Sequence, residues 1–401
     1  MNRKRVLYGL FLVGFLQNLF MTASGGIIPI YLKVLGASEL LVGISYAWFS
    51  LVRGGTSLVS GLFTDRLNRR DLLLFSQLGF ALANLAYALV GTPNLLAALR
   101  LIQGLTAGLY WVVILSMVAD ASEPEQRLRN LTWFNIGIAI SGVGANWLGG
   151  YFAEHFSPRF VFTSSLIAFL GVSLFVWKHF RRESLRPAAT ARPSLREIFN
   201  VPRQVKLISL LAGSGMIAET VNTMAMSLFV YGVGGGYQDV GLIAGLIVGA
   251  GLFCQLLAPT LQRRIGYRGI IVLVYTVNAL LLLLLFWQRS LLAAYLLFPV
   301  IGALFTLPSL AWLTLAQATA NPGQTGAATG FFRGTFDLTS VIYYLACGAL
   351  SARFTVVPLL AGAAVVLLCL AFLTWRLTFL DAGAASQRLP RRGKSSPKQV
   401  S

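Results

Sequence analysis

The chain has 401 residues, 56% hydrophobic and only 11% charged, where a soluble domain carries about 25% charged residues. That deficit leaves too little polar surface to face water. Three cysteines in apolar stretches exclude a disulfide framework, and two distant histidines leave no metal cluster to build (metal: none). The net charge of +19 raises nucleic acid as a partner until its position along the chain is known.

Crossing roughly 30 Å of hydrocarbon takes about 20 apolar residues. Such stretches recur at 7–33, 41–63, 71–90, 95–119, 130–153, 158–178, 205–231, 239–261, 269–287, 291–316, 325–350 and 354–379. Each is expected to be a helix, because lipid offers backbone N–H groups no partner. The ten-residue alternation of a membrane barrel is missing. Met1–Arg5 ahead of an apolar run resembles a signal peptide, but the run is too long and eleven more spans follow. Of the 32 Lys and Arg, 25 fall on the side of the N-terminus, four on the other side and three inside spans. The positive-inside rule then places both termini in the cytoplasm, and the charge is explained without nucleic acid.

The first span carries Gln17, Asn18 and Thr22 as cavity candidates, and the second carries Arg53 at depth. Between spans 2 and 3 the chain reads Gly61-Leu-Phe-Thr-Asp65-Arg66-Leu-Asn68-Arg69-Arg70. Gly61 lets a neighbouring helix come close, Asp65 can accept from a helix N-terminus, and Arg66, Arg69 and Arg70 can bond helix ends or Asp120. Asn68 tolerates a left-handed backbone at this turn. Span 4 contains Leu99-Arg100-Leu-Ile-Gln103-Gly104, then Tyr110 and Trp111; span 5 adds Trp133, Asn135 and a glycine-rich end, Gly142-Val-Gly144-Ala145-Asn146-Trp-Leu-Gly149-Gly150.

The longest polar interruption, 179–204, divides the spans six and six. The expected domains are a bundle at 1–178, a cytoplasmic linker at 179–204, a second bundle at 205–380 and a basic disordered tail at 381–401. Span 7 holds Glu219 near the midplane with no cation near it in sequence, and Asn222 one turn on. An intramembrane carboxyl of this kind is a candidate proton carrier or cation site; a structural hydrogen-bonding role is the alternative. After span 8, Ala258-Pro-Thr-Leu-Gln262-Arg263-Arg264-Ile-Gly266-Tyr-Arg268 echoes the Gly61 segment, as a duplicated six-helix unit would. Span 10 supplies Trp312 and Gln317. In span 11, Arg333 and Asp337 stand four apart and can pair locally. By helical rise, Arg53 and Arg333 lie at similar depth, roughly 15 Å from the inner helix ends, so a bridge from Arg53 to Asp337 is the competing arrangement.

GLFTDRLNRR resembles the signature of the major facilitator superfamily, with Asn68 where that family usually has Gly, and the Arg100 segment resembles the helix 4 motif of its proton-coupled members. The resemblance implies an all-α membrane protein of twelve helices in two pseudo-symmetric six-helix bundles, with helices 2 and 11 as neighbours. It also implies a cytoplasmic gate at Gly61, Asp65, Arg66, Arg69, Arg70 and Asp120, and proton-coupling or substrate roles for Arg53, Arg100, Glu219, Arg333 and Asp337. The end of span 5 partly resembles the exporter branch's Gly-Pro-x-x-Gly-Gly stretch, with Ala145-Asn146 in place of Gly-Pro.

No phosphate loop, dinucleotide fingerprint or HExxH motif is present, so an enzyme is not expected. The function expected is secondary active transport of a small lipophilic or amphipathic molecule, as export by proton antiport. Uptake by proton symport, or a facilitator or lipid flippase of the same fold, is the alternative. No cofactor is expected, the proton gradient being the energy source. The expected partners are a small-molecule substrate, protons and membrane lipids, with a monomer in a bacterial inner membrane.

Overall fold

The computed structural model describes residues 3–64, 68–180, 200–321 and 325–377, and its regular elements are all helical. In chain order they are α1 (Arg3–Gly26), α2 (Ile28–Val34), α3 (Glu39–Thr64), α4 (Arg69–Leu89), α5 (Pro93–Ala121), α6 (Arg127–His155) and α7 (Pro158–His179). Then come α8 (Arg203–Ser214), α9 (Ile217–Thr220), a π turn (Val221–Ala225), α10 (Met226–Gly232), α11 (Tyr237–Gln288), α12 (Leu291–Ala318), α13 (Thr325–Phe354) and α14 (Val357–Arg376). By length and composition, seven described segments suffice to cross a membrane: Arg3–Val34, Arg69–Leu89, Pro93–Ala121, Pro158–His179, Tyr237–Gln288, Leu291–Ala318 and Val357–Arg376.

Four expected spans differ in detail. The first breaks between α1 and α2, where Pro29 has no N–H to continue the ladder. The seventh is broken after Ser214, at Gly215, where any side chain would run into the Tyr275 hydroxyl, and again by the π turn. The eighth and ninth join in the single element α11, which kinks at Gly266 (φ 71°, ψ 175°), a backbone that favours glycine.

Leu10, Leu73, Phe80, Tyr110 and Phe169 form one buried core among α1, α4, α5 and α7. A larger core joins Ile271, Tyr275, Phe298, Trp312 and Leu360 of α11, α12 and α14 with Ala218 and Phe229 of the broken helix. Across the two parts of the chain, α3 packs on α13 and α6 on α11. The α3–α13 contact depends on bare glycine, since a Cβ on Gly43 would come within 2.9 Å of the Gly348 Cα. Gly150 and Gly241 meet in the same way between α6 and α11.

The expected internal echo has a geometric counterpart. Arg70 Nη2 donates to the Trp177 carbonyl at 2.5 Å, and Arg268 donates to the Trp375 carbonyl; each pair is 107 positions apart. Asn68, however, is not left-handed. It lies at φ −67°, ψ 121° and caps α4, its Oδ1 accepting from Arg70 N at 3.0 Å, so a side-chain acceptor does what the turn was expected to need from backbone freedom.

Candidate functional site

A cavity of about 800 Å³ lies between α3, α5, α6, the α9–π segment and α13. Its wall is aromatic at Tyr46, Phe49, Trp111, Phe336 and Tyr344, and charged at Arg53, Glu219, Arg333 and Asp337. At one end the Tyr46 and Tyr344 rings lie 5.0 Å apart, just below the Gly43–Gly348 contact. At the other, the wall runs down to Leu115 and Thr329, close to the last turns of α5 and the first of α13. The cavity therefore narrows at the ring pair below Gly43 and extends from there toward the expected cytoplasmic ends.

Two helices bring the charges together. On α3, Tyr46, Phe49, Ser50, Arg53 and Ser57 recur at helical spacing, and on α13 Arg333, Asp337, Ser340 and Tyr344 do the same. Arg53 Nη2 donates to Asp337 Oδ1 at 2.6 Å, with the guanidinium 5.1 Å from the Phe49 ring centre. Asp337 thus pairs across the helix contact, and the local Arg333–Asp337 pair does not form. Among the described residues neither Arg333 nor the Glu219 carboxylate makes an ion pair or a side-chain hydrogen bond, and Glu219 is half-buried. A wall with one closed ion pair, one available cation, one available carboxylate and several ring faces suits an amphipathic ligand.

Arg100 lies behind this wall. It is buried, donates through Nη1 to Gln103 Oε1 at 2.6 Å, and stacks 4.3 Å from the Phe49 ring centre and 5.0 Å from that of Tyr46. Tyr87 donates to the same Gln103 oxygen at 3.1 Å. Phe49 and Tyr46 therefore carry one face to the cavity and the other to Arg100.

Of the expected cavity residues, Trp111 and Asn135 line the wall. Trp133 does not: it is 59% exposed and, two residues from Asn135, sits roughly 200° around α6. Gln17, Asn18 and Thr22 also lie off the wall. The Asn18 amide donates to Ile138 O and Ser141 Oγ, both at 2.9 Å, tying α1 to α6; Thr22 donates back to Asn18 Oδ1 at 3.5 Å. Gln17 is fully buried. Tyr110 packs edge-on against Phe80 in the α4–α5 core, and Trp312 is buried with Nε1 donating to the Tyr275 hydroxyl at 3.1 Å. Asn222 lines a second, smaller cavity.

Residues of the expected gate are placed in part. Gly61 lies in the last turn of α3, while Asp65 and Arg66 fall outside the described residues. Arg69 pairs with Asp120, and Arg127 Nη2 stands 4.0 Å from Asp120 Oδ1. The rings of Tyr46, Phe49, Phe336 and Tyr344 escape composition-based reading, because aromatics in an apolar run look like core. Their signal is the helical spacing from Arg53 and Asp337.

A family model described as Major Facilitator Superfamily matches residues 10–344. The chain is 27% identical over 295 residues to multidrug resistance protein MdtG of Salmonella arizonae (strain ATCC BAA-731 / CDC346-86 / RSK2980), covering 69% of this chain and 70% of that one. To multidrug resistance protein MdtL of Shewanella sp. (strain ANA-3) it is 30% identical over 152 residues, which is 37% of this chain and only 38% of the relative's length. The crystal structure of the nucleoside transporter NupG superposes with a TM-score of 0.77 over 94% of this chain and 98% of that one; at 15% identity this likeness is one of fold alone. With a helical membrane fold, a charged cavity between its two parts and a family match over most of its length, the chain belongs to the Major Facilitator Superfamily and is an integral multi-pass membrane transporter, not an enzyme.

Proposed function

We propose that this transporter exports a small lipophilic or amphipathic molecule in exchange for protons, with Glu219 as the proton carrier. The observation that carries the reading is the Glu219 carboxylate, free of ion pairs among the described residues, on an aromatic wall that also holds the Arg53–Asp337 pair. A carboxyl that binds a proton in one state and a cationic group in another couples the two by competition for one site. The multidrug resistance proteins MdtG and MdtL among its relatives favour export and a lipophilic cargo. The twelve-helix arrangement, with bundles at 1–178 and 205–380, a linker at 179–204, a tail at 381–401 and both termini cytoplasmic in a bacterial inner membrane, completes the reading. It is supported by the Lys/Arg bias and by the paired Arg70–Trp177 and Arg268–Trp375 contacts. On this reading the protein works as a monomer among lipids, needs no cofactor, and stands here with its outer side closed.

The test is internal pH in proteoliposomes holding a trapped pH dye, with lipophilic cations, amphipathic drugs, nucleosides and organic acids added outside. Proton movement driven by one class and lost in Glu219→Gln is the expected outcome. Movement of opposite sign would replace antiport with symport, the alternative reading of the same fold. Proton movement unchanged in Glu219→Gln would remove Glu219 from the mechanism.

A further inference from the structure

On the closed side of the main cavity lies a second one of about 100 Å³, between α1, α3, α6, the π turn and α11. Its polar wall comprises Asn146, Asn222, Thr223, Ser227 and Tyr237, with no charged side chain among the described residues. Asn222 is 7% exposed, yet its Oδ1 has no hydrogen-bond partner in the protein, and neither has the Tyr237 hydroxyl. A buried polar group left unpaired costs about 1–3 kcal/mol, so two of them on residues that line one chamber call for a polar occupant. Asn222 and Thr223 stand on the π turn Val221–Ala225. Such bulges in a helix are frequent at functional sites.

The chamber adjoins the proposed proton site. Thr223 and Tyr46 line both cavities. Thr223 follows Glu219 by one helical turn, its hydroxyl donates to the Glu219 carbonyl at 2.9 Å, and it lies 3.1 Å from the Tyr344 hydroxyl. The Tyr46–Tyr344 ring pair at 5.0 Å narrows the passage beyond what an organic substrate can cross.

We propose that this chamber holds a cluster of about three water molecules, at roughly 30 Å³ each, that carries protons between the outer side and Glu219. The hydroxyls of Thr223 and Tyr344 connect it to the main cavity. The inference rests on Glu219 as proton carrier. In each transfer a protonated water gives up one proton, the hydroxyls pass it on by exchanging their own, and the Glu219 carboxylate forms the new O–H bond. No other bond changes.

Hydroxyl-radical labelling by X-ray radiolysis reads buried water through the side chains beside it. Met226 lines the chamber and is 2% exposed, while Met224, 0% exposed on the same turn, does not line it. Met226 is expected to label several-fold faster than Met224; equal rates would show the chamber dry and overturn the proposal. Asn222→Leu, with Ser227→Ala as the milder change, is expected to slow both Met226 labelling and the internal pH change driven by the compound panel. Labelling lost with the proton rate at wild type would overturn the route. If Glu219→Gln leaves proton movement intact while Met226 still labels, it is the carrier assignment that fails, and the route to it falls with it.

Discussion

Arg53 and Asp337, 284 positions apart, meet at 2.6 Å on the cavity wall and tie α3 to α13 across the two parts of the chain. Each is a charge at membrane depth, and Asp337 takes Arg53 rather than Arg333 of its own helix. Together they replace two costly groups by one hydrogen-bonded pair.

Breaking that pair should be felt in stability and in transport. Asp337→Asn leaves Arg53 without its carboxylate. Because 35% of the Arg53 side chain is exposed, the expected loss is about 1–3 kcal/mol, less than for a fully buried pair. Thermal unfolding in detergent measures the loss. The exchange Arg53→Asp with Asp337→Arg should recover part of it, and no recovery would mean the pair is not what holds the helices.

The Gly43–Gly348 contact is expected to hold the outer side closed. Gly43→Val forces α3 from the α13 backbone. Cys347, buried next to Gly348, is the reporter once Cys254 and Cys369 are replaced. Its labelling by an impermeant thiol reagent should rise about tenfold for each 1.4 kcal/mol by which opening is favoured. Labelling at the wild-type rate would show that the closure lies elsewhere.

Arg100→Lys should behave as a disruptive change. The ammonium keeps the charge but loses the planar stack on Phe49 and Tyr46 and the forked donor to Gln103. A loss of about 1–2 kcal/mol of folding stability is expected from the cation–π contacts alone, together with slower transport as Phe49 and Tyr46 shift on the cavity side. Wild-type melting and transport in this variant would sink the view that Arg100 supports the wall.

Glu39, at the start of α3 and outside the predicted span, provides a pH test. Burial raises the pKa of its carboxyl, but the hydrogen bond and charge of Lys33, donating at 2.7 Å, together with a backbone N–H, hold it below the ordinary value. The pair therefore contributes stability above the unfolded carboxyl's pKa and loses it as pH falls through the folded one. The effect is on the order of 0.5 kcal/mol for a partly exposed pair. Glu39→Gln should flatten the acid side of the melting-temperature profile; an unchanged profile would assign the acid response to other groups.

Much of the site was legible as individual residues. Arg53, Glu219, Arg333 and Asp337 stand out because charge at membrane depth is expensive, and all four line one cavity. Trp133, Tyr110 and Trp312 do not line that cavity, for a related reason. An aromatic ring is equally at home against lipid, in a helix contact or on a cavity wall, and composition does not distinguish the three. The π turn that presents Asn222 and Thr223 has no local signature in Val221–Ala225.

What the sequence by itself determined is the class: apolar length, sparse charge and the Lys/Arg bias require helices through a membrane, and Gly61 to Arg70 points to the family. What only the tertiary structure decided is which face of each helix looks inward, which carboxylate Arg53 takes, and where two cavities meet at Thr223 and Tyr46. The physical reason is that lipid tails are as apolar as a protein core. Hydrophobic periodicity, which marks the buried face of a soluble helix, therefore loses its contrast here, and only contacts between distant segments restore it.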